Sequence, residues 1–459
     1  MRIRIVTSNF QKKNRRKINL DKQKKGFLKY KANVKKTDPD ATFENYPFYV
    51  FKQKTHLSPK PDYSELIEYL LNKEEVLGSK KLMFETNTFE IPNPFSLTEN
   101  YSETSIFIKK LFNSLYFQSF ETIYIDYSKC ENIDVGASMC MDIILSDFIQ
   151  YYKKMLNSGH LVKVNEIKPI HYDQVKKVLF SIGAFRSIRG FKLTFENVLD
   201  FPIIIGSKKN SSISAQREID ITKTVDYIIK CLSNMGKTLT GLAETNLYKV
   251  IGEVMQNADD HSDTTNRYSI GYFERTKTDT CDFGIFNLAI LNFGNTIYET
   301  FKDPKGEPIN INIVEQMEDL SKRYTSKNFF RQAKFEEETL WTLYALQDGV
   351  TRMLDWKRGN GSIRFIESFF NLKGNDQVDD VSKMVITSGH TRIIFDGKYK
   401  IVSRQRGAGN ETYKMMTFNE SGNIEELPDS SYVKYEKNYF PGTMISAKIK
   451  IDYENTENL

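Results

Sequence analysis

One stretch around residue 253 constrains the fold more than any other, because it carries two stripes at helical spacing. Its apolar residues are Leu247, Val250, Ile251, Val254 and Ala258. Their spacing predicts an amphipathic helix that buries one face. Glu253, Asn257 and His261 recur four residues apart and form a second stripe on the flank of the first. That flank is either a solvated polar edge or the place where a carboxylate and an amide meet a ligand.

Length and cysteine usage bound the class of protein. At 459 residues the chain predicts two or three domains rather than a single core. Its four cysteines are widely scattered, with no CxxC pair and no histidine at metal-ligand spacing. This usage is typical of a reduced cytosolic protein without a structural zinc. No apolar run approaches the roughly 18 to 20 residues of a membrane-spanning helix, so we expect a cytoplasmic protein with no membrane partner.

The positive charge of the chain is concentrated in residues 1–36. This segment holds 14 Lys or Arg and one acid, Asp21, whereas the rest of the chain has a net charge of −7. Such a basic run cannot bury enough apolar surface to fold alone. It is either a solvated tail or a segment that binds the phosphates of nucleic acid or another anionic partner.

Shifts in composition divide the chain into three predicted parts. A basic tail and connector occupies residues 1–60, a small α/β domain residues 61–205 and a second domain residues 206–459. The predicted fold class is α/β, in the form of an α+β sandwich.

Helices and strands are predicted to alternate within the small domain. Helices are expected over Tyr63–Leu77 and Leu97–Phe117, and a long amphipathic helix is expected to end at Gly159. After a further strand and helix, another strand is expected over residues 191–196. Residues 201–216, which read FPIIIGSKKNSSISAQ, are interpreted as a polar linker.

The strand TIYIDYS, the turn after it and the following helix resemble the STAS (anti-sigma-factor antagonist) fold. In partner-switching members of that family the turn carries a phosphorylatable serine in a DSSG-like motif. The matching positions here are Asp134, Val135, Gly136 and Ala137, so the serine is absent, and Ser138 is expected to lie in the helix. The resemblance implies a docking module for a protein partner or for self-association, rather than a phosphorylation switch.

Four motifs follow one another in the second domain. The helix with Glu253 and Asn257 comes first, and the apolar run FGIFNLAILNF then enters a glycine turn, NFGNT. After about residues 297 to 358 comes GNGSIRFIESFF, in which Gly359 and Gly361 allow a backbone to approach a phosphate before a helix begins. The fourth motif, YFPGTMISAKIKI, is a Gly-Thr turn that leads into a final alternating strand.

This order of motifs resembles the Bergerat ATP-binding fold of the GHKL family, which includes type II topoisomerases, heat-shock chaperones, MutL-type repair proteins and sensor kinases. The resemblance covers a little over half of the chain and implies ATP and Mg²⁺ as cofactors. By the resemblance, Asn257 is the magnesium ligand, Glu253 is the base for the attacking water and Thr443 lies near the adenine. The two glycines of the third motif open the phosphate loop. His261, a lone histidine at the helix end, is more typical of a cap or packing residue than of a ligand-binding one.

The glycine turn departs from the family pattern. In the family it reads DxGxG, and its Asp accepts the adenine amino proton. Here Asn292 replaces the Asp, Gly294 matches and Thr296 replaces the second glycine. An amide oxygen can still accept that proton, but the bond is neutral, and Thr is awkward at a position that needs positive φ. Weaker affinity or looser base selectivity is expected, and an alternative register uses the DFGIF of Asp282–Phe286.

Three functions remain open. The first is an ATP-binding regulatory protein, a Mg-dependent ATPase switch whose nucleotide orders a lid over residues 297–358 and thereby controls partner docking. The second is a GHKL-fold binding module without turnover, and the third is a serine/threonine protein kinase of the anti-sigma type. A phosphate-contacting cation would come from a partner or from the lid, where the candidates are Lys322, Arg323 and Lys327.

Overall fold

The computed structural model describes most of the chain beyond residue 62. The described residues are 63–73, 83–117, 122–156, 163–166, 169–184, 188, 190, 193–207, 213–262, 264, 266–303, 310–325, 335–350, 361–372, 378–405 and 412–452. The predicted tail and connector of residues 1–60, and with them the nucleic-acid prediction for residues 1–36, lie outside these ranges.

The chain divides into two compact units. The first comprises Met1–Ile91, Ile106–Lys129 and Ile143–Pro169, and the second comprises Pro92–Ser105, Cys130–Asp142 and Ile170–Leu459. This division concerns spatial compactness, and the domain boundaries predicted from composition stay predictions.

The first unit contains a three-stranded parallel sheet. Its strands are β1 (Thr88–Glu90), β2 (Thr122–Asp126) and β3 (Lys163–Glu166), in the spatial order β1-β2-β3. Parallel neighbours need a crossover connection. Helix α2 (Tyr101–Phe117) connects β1 to β2, and helix α3 (Val135–Leu156) connects β2 to β3.

Two predicted helices are confirmed with shorter bounds. Helix α1 runs over Glu65–Asn72, and α2 begins at Tyr101 rather than at Leu97. Helix α1 starts where it does because the side chain of Ser64 accepts the N–H of Ile67 at 3.1 Å, as an N-cap does.

The second unit contains a five-stranded antiparallel sheet. Its strands are β4 (Val198–Ser207), β5 (Asn266–Lys277), β6 (Asp282–Phe293), β7 (Lys383–Phe395) and β10 (Val433–Asp452). They lie in the order β4-β5-β6-β10-β7, and every adjacent pair is antiparallel. A separate hairpin pairs β8 (Val402–Gln405) with β9 (Thr412–Met415). The chain is therefore a mixed α+β structure with antiparallel sheet, which confirms the predicted class at that level.

Several helices lie wholly within the second unit. They are α4 (Asp173–Ser181), α5 (Ile213–Asn234), α6 (Gly241–His261), α7 (Ile297–Lys302), α8 (Ile311–Thr325), α9 (Glu337–Ala345) and α10 (Gly361–Asn371). Helix α6 contacts α5, α10 and the strands β5 and β6. Its residue Ile251 shares one buried cluster with Phe286, Leu288 and Ile290, alternate residues of β6. One face of the sheet is therefore the helix-facing side of the core.

Two sequence predictions near residue 200 are wrong. Residues 193–196 form no strand, and most of the predicted linker is structured, because β4 extends to Ser207 and α5 begins at Ile213. A proline such as the one in FPIII is disfavoured inside a central strand. However, β4 is an edge strand whose pairing register shifts between Phe201 and Ile204. A proline, which has no N–H to donate, is tolerated at such a place.

A buried ion cluster joins this sheet to two helices. Arg267 of β5 donates from Nη2 to Asp220 Oδ2 of α5 at 3.0 Å and from Nε to Asp259 Oδ1 of α6 at 3.1 Å. The Arg267 side chain is 1% exposed. Arg217 adds a second guanidinium 3.5 Å from Asp259 Oδ2. Gly206, opposite Arg267 on β4, leaves the necessary space, because a Cβ there would lie 2.4 Å from Nη2.

We expect Arg267→Met to lower the free energy of unfolding by about 3–5 kcal/mol, because it leaves two buried carboxylates without their shared cation. The matched control is Arg323→Met, which removes an exposed Arg323–Glu425 pair and should cost no more than about 1 kcal/mol. Urea unfolding followed by tryptophan fluorescence measures both changes, since Trp341 is buried in the same unit. Equal, small losses in the two variants would contradict a structural role for the cluster.

Candidate functional site

Helix α6 carries the first candidate residues and is built as its two stripes predict. It begins after Thr240, whose side chain accepts the N–H of Ala243 at 3.2 Å. The apolar stripe is buried, as predicted, and consists of Leu247, Val250, Ile251, Val254 and Ala258. Glu253 and Asn257 lie on its exposed flank. His261 is the last residue of the helix, and its side chain lies outside what the structure describes.

A cleft of about 550 Å³ opens between α6 and α10. Its apolar lining is Leu239, Leu242, Ala243, Leu247, Val250 and Leu372. Its charged lining is Lys249, Glu253, Asp348, Arg364, Glu367 and Lys414. The lining includes α6 as far along the chain as Glu253 and α10 from Arg364 onward, so these two side chains mark one end of the cleft.

The environment of Glu253 shifts its ionisation. Desolvation by the surrounding protein raises the pKa of Glu253 above its usual value, although much of the side chain surface is exposed. The positive charge of Arg364 opposes this rise, and the negative charge of Asp348 adds to it. A carboxylate with a raised pKa beside a cation is better suited to accept a proton than an ordinary surface glutamate.

Asn257 and Gly361 lie one helical turn beyond this end of the cleft on their respective helices. The side chain of Asn257 is exposed and forms no hydrogen bond with any part of the chain that the structure describes. Gly361 is the first residue of α10, as predicted for the start of a helix. Gly359, its predicted partner in the phosphate loop, lies outside the described residues.

A row of polar residues crosses the sheet on its helix-facing side. The row is formed by residues that lie opposite one another in the ladder: Gly206, Arg267, Asn292, Thr443 and Ser388. In β6 this row follows directly after the apolar alternation of Leu288 and Ile290. The hydrophobic core therefore gives way at this end of the sheet to polar residues, of which Arg267, Asn292 and Ser388 are themselves buried.

Asn292 and Thr443, which the sequence analysis took from two separate motifs, are directly opposed in this row. Thr443 shares a 2.8 Å hydrogen bond with Ser388, and Ser388 Oγ accepts the N–H of Ile297 at 2.8 Å. Asn292 is only 3% exposed. Its Nδ2 has no hydrogen-bond partner within the described ranges. A buried donor of this kind normally has an acceptor, so the Asn292 amide is an unusual feature of this strand end.

The ion cluster brings the end of α6 to the same row. Asp259, two residues after Asn257, bonds Arg267, which lies opposite Asn292. The C-terminal part of α6 is therefore joined to the strand next to Asn292. Asp259 is buried and Asn257 is exposed, so the two side chains lie on different sides of the helix. Glu253, one turn before Asn257, lines the cleft.

The glycine turn corrects one expectation about backbone strain. Gly294 follows β6 directly, and its N–H donates to the carbonyl of Pro441 at 3.4 Å. Thr296 was expected to need positive φ, and this is wrong, because its φ is −72°. It is the N-cap of α7 in a capping box: its side chain accepts the N–H of Glu299 at 3.1 Å, and Glu299 accepts the Thr296 N–H at 2.8 Å. Threonine is well suited to that role.

The predicted lid of residues 297–358 contains α7, α8 and α9 in its described part. The candidate cations on α8 form ion pairs, Lys322 with Asp319 at 3.2 Å and Arg323 with Glu425 at 3.3 Å. Both pairs are largely exposed, so either cation can exchange its partner at low cost. Lys327 lies outside the described residues.

The turn that resembles a STAS phosphorylation site begins helix α3. Asp134 Oδ1 accepts the N–H of Ala137 at 2.6 Å, and the helix starts at Val135. Ser138 lies within this helix, as predicted, and is fully buried. A kinase therefore has no access to its hydroxyl in this fold.

Sequence reasoning missed Arg267, Asp220, Ser388 and Arg364. Arg267 could have been recognised from the sequence. It is the one charged residue at the inward-facing positions of NRYSIGYF, where the other residues are small or apolar. Ser388 and Arg364 become part of the site only through strand pairing and helix packing.

No group of three or more His, Cys, Asp or Glu side chains in the described ranges is arranged to hold a metal ion. No helix in the same ranges is both long enough and apolar enough to cross a bilayer.

Comparison with known proteins identifies no relative. No family model, no curated protein and no solved structure matches the chain. Arguments about function therefore depend on the residues and their geometry.

We expect Gly442→Ala to disturb the polar row directly. Gly442 has φ +148°, and a Cβ there would lie 2.1 Å from the carbonyl oxygen of Asn292. The substitution should destabilise the protein by more than about 1 kcal/mol, because the backbone of β6 or β10 must shift. Gly241→Ala is the control, since a Cβ at this first residue of α6 meets open space. Thermal unfolding of the two variants measures the difference, and equal midpoints would show that this strand end adapts freely.

Proposed function

We propose that the chain is an ATP-binding regulatory protein, a Mg-dependent ATPase switch whose nucleotide state controls the docking of a partner. The observation that carries this proposal is that the Asp259–Arg267 ion pair joins α6, which carries the exposed Asn257, to the end of the sheet at which the buried Asn292 lies opposite Thr443. A nucleotide requires these two kinds of surface next to each other: a buried polar patch for the base and an exposed polar helix for the phosphates.

The fold-level part of the proposal is the resemblance to the GHKL family. An antiparallel sheet with α5, α6 and α10 against one face, and the motif-bearing residues at one sheet edge, suits a Bergerat-type domain. The first unit suits a STAS-like docking module, since its parallel strands alternate with helices. We assign partner binding or self-association to that module. Both assignments rest on analogy of architecture.

Asn257 is proposed to hold Mg²⁺ together with the phosphates of the nucleotide. Mg²⁺ usually keeps several waters and takes only one or two protein oxygens, so an amide oxygen without a protein partner fits this role better than a closed protein cage would. The ion would neutralise negative charge on the phosphates. Gly361, at the first position of α10, would place backbone N–H groups toward the same phosphates.

Glu253 is proposed to orient and deprotonate the attacking water. It lies on the same flank as Asn257, one turn earlier, so both groups reach the same phosphates. Its raised pKa suits a group that must accept a proton during the reaction. Arg364, at the same end of the cleft, favours the ionised carboxylate by opposing that rise.

We expect Asn257→Ala to weaken magnesium-dependent ATP binding by at least about tenfold, because it removes the protein oxygen of the metal site. The matched control is Asn246→Ala, an exposed asparagine on the same helix that lines the cleft farther from Asn257. Titration calorimetry with ATP, with and without Mg²⁺, measures both variants. Failure of the folded wild-type protein to bind ATP would refute the proposed function.

The rate of phosphate release should rise with pH through a midpoint above the usual glutamate pKa, because Glu253 acts as a base only when it is ionised. Arg364→Gln should move that midpoint to higher pH, since the cation that lowers the Glu253 pKa is lost. Lys249→Gln, which also removes a cation from the cleft lining, is the control and should leave the midpoint in place. A profile that keeps its midpoint in Arg364→Gln argues that another group is the base.

The binding-module alternative is favoured by one observation. Asn292 supplies a neutral amide where the resembled family has a carboxylate, and a neutral hydrogen bond is weaker than a charged one. Nucleotide binding without phosphate release would favour this alternative over the switch. Transfer of phosphate to a serine of a partner would favour the kinase.

A further inference from the structure

The faces of α6 and α10 that line the cleft also carry the two residues assigned to the phosphates. The α10 side of the cleft is formed by residues at helical spacing, Arg364, Glu367, Ser368, Asn371 and Leu372. Gly361 lies three residues before Arg364 and so falls on the same face. On α6, Asn257 lies four residues after Glu253 and continues the face that lines the cleft. This end of the cleft is therefore one helical turn, roughly 5 Å along the helix axis, from the proposed phosphate site.

Arg364 is an available cation at this end of the cleft. Its side chain is exposed and forms no hydrogen bond or ion pair with the residues that the structure describes. The other cations of the cleft lining are less well placed. Lys414 is paired with Glu367, and Lys249 lies two helical turns from Asn257. The guanidinium of Arg364 is therefore free to bind an anionic ligand beside the phosphate site.

We infer that Arg364 contacts the γ-phosphate of the nucleotide and supplies the phosphate-contacting cation from within the chain. The inference rests on the proposed function and adds a residue to its site. This cation was expected from a partner or from the lid, where Lys322 and Arg323 already form ion pairs. Arg364 stands at the cleft without either.

The position of Glu253 indicates which phosphate Arg364 meets. In hydrolysis the water oxygen bonds the γ-phosphorus, Glu253 takes the proton, and the bond to the bridging oxygen breaks with its electron pair leaving on ADP. The phosphate that is attacked must therefore lie beside Glu253, on whose carboxylate the charge of Arg364 acts. A guanidinium can donate two parallel hydrogen bonds to phosphate oxygens and stabilise the charge of the transition state.

The first test measures the binding of ATP and of ADP, each with Mg²⁺, by titration calorimetry on the full chain. The wild type should bind ATP more tightly than ADP by about tenfold or more, because only ATP offers a γ-phosphate to Arg364. Arg364→Gln should abolish most of this preference. The matched control is Lys249→Gln, which removes another exposed cation of the cleft lining and should keep the wild-type ratio of dissociation constants.

A second variant, Arg364→Lys, separates a contact with phosphate from an electrostatic effect on Glu253 alone. Lysine keeps the positive charge but lacks the planar fork. The pH midpoint of phosphate release should therefore stay at its wild-type value, while kcat should fall by about tenfold or more. Recovery of both the midpoint and the rate would show that Arg364 acts only through its charge, and would overturn the inference.

Circular dichroism would establish that each variant folds, as expected for changes at exposed positions, and Arg364→Lys replaces Arg364→Gln in the first test if the latter does not fold. Equal binding of ATP and ADP by the wild type, or an unchanged ratio in Arg364→Gln, overturns the inference and leaves the proposed function standing. If ATP binds without phosphate release, the ratio of dissociation constants decides alone. Failure of the folded wild type to bind ATP overturns both.

Discussion

The placement of one guanidinium organises the second unit. Arg267 lies in the sheet, and its side chain is only 1% exposed. It donates hydrogen bonds to carboxylates from two different helices. A buried charge is tolerated only when its partners are in place. The position of α5 and α6 over the sheet, and the rotation of each helix about its own axis, are therefore fixed. The Asp259–Arg267 pair joins the C-terminal part of α6, the helix that carries Asn257, to the strand next to Asn292, so the geometry of the candidate site depends on an interaction that involves neither residue.

The elements that could be predicted were those with a strong local pattern. The two stripes of α6 and the apolar run of β6 were specified by spacing within one segment, and the structure has both. Strand β4 was missed because its pairing with β5 is a tertiary feature that overrides the proline of FPIII. The start of α1 moved because a single capping contact decides where that helix begins.

The candidate site shows a similar division. Glu253 and Asn257 were recognisable because four-residue spacing on a helix is a property of adjacent residues. The opposition of Asn292 and Thr443 depends on the register between strands that are some 150 positions apart, and no local rule supplies it. The expectation of strain at Thr296 failed for a related reason. The family pattern suggested a glycine conformation, whereas the Thr-x-x-Glu sequence itself encodes a capping box.

The position of β10 has a consequence for the order in which the chain can fold. This strand lies between β6 and β7, which do not pair with each other in the described sheet. While a ribosome is still synthesising residues before Val433, β6 and β7 each present an unpaired edge, and such edges invite association with other chains. Thr443 also belongs to β10, so the polar row is complete only once β10 has been synthesised. The facing edges of β6 and β7 are therefore covered only when β10 has left the ribosome.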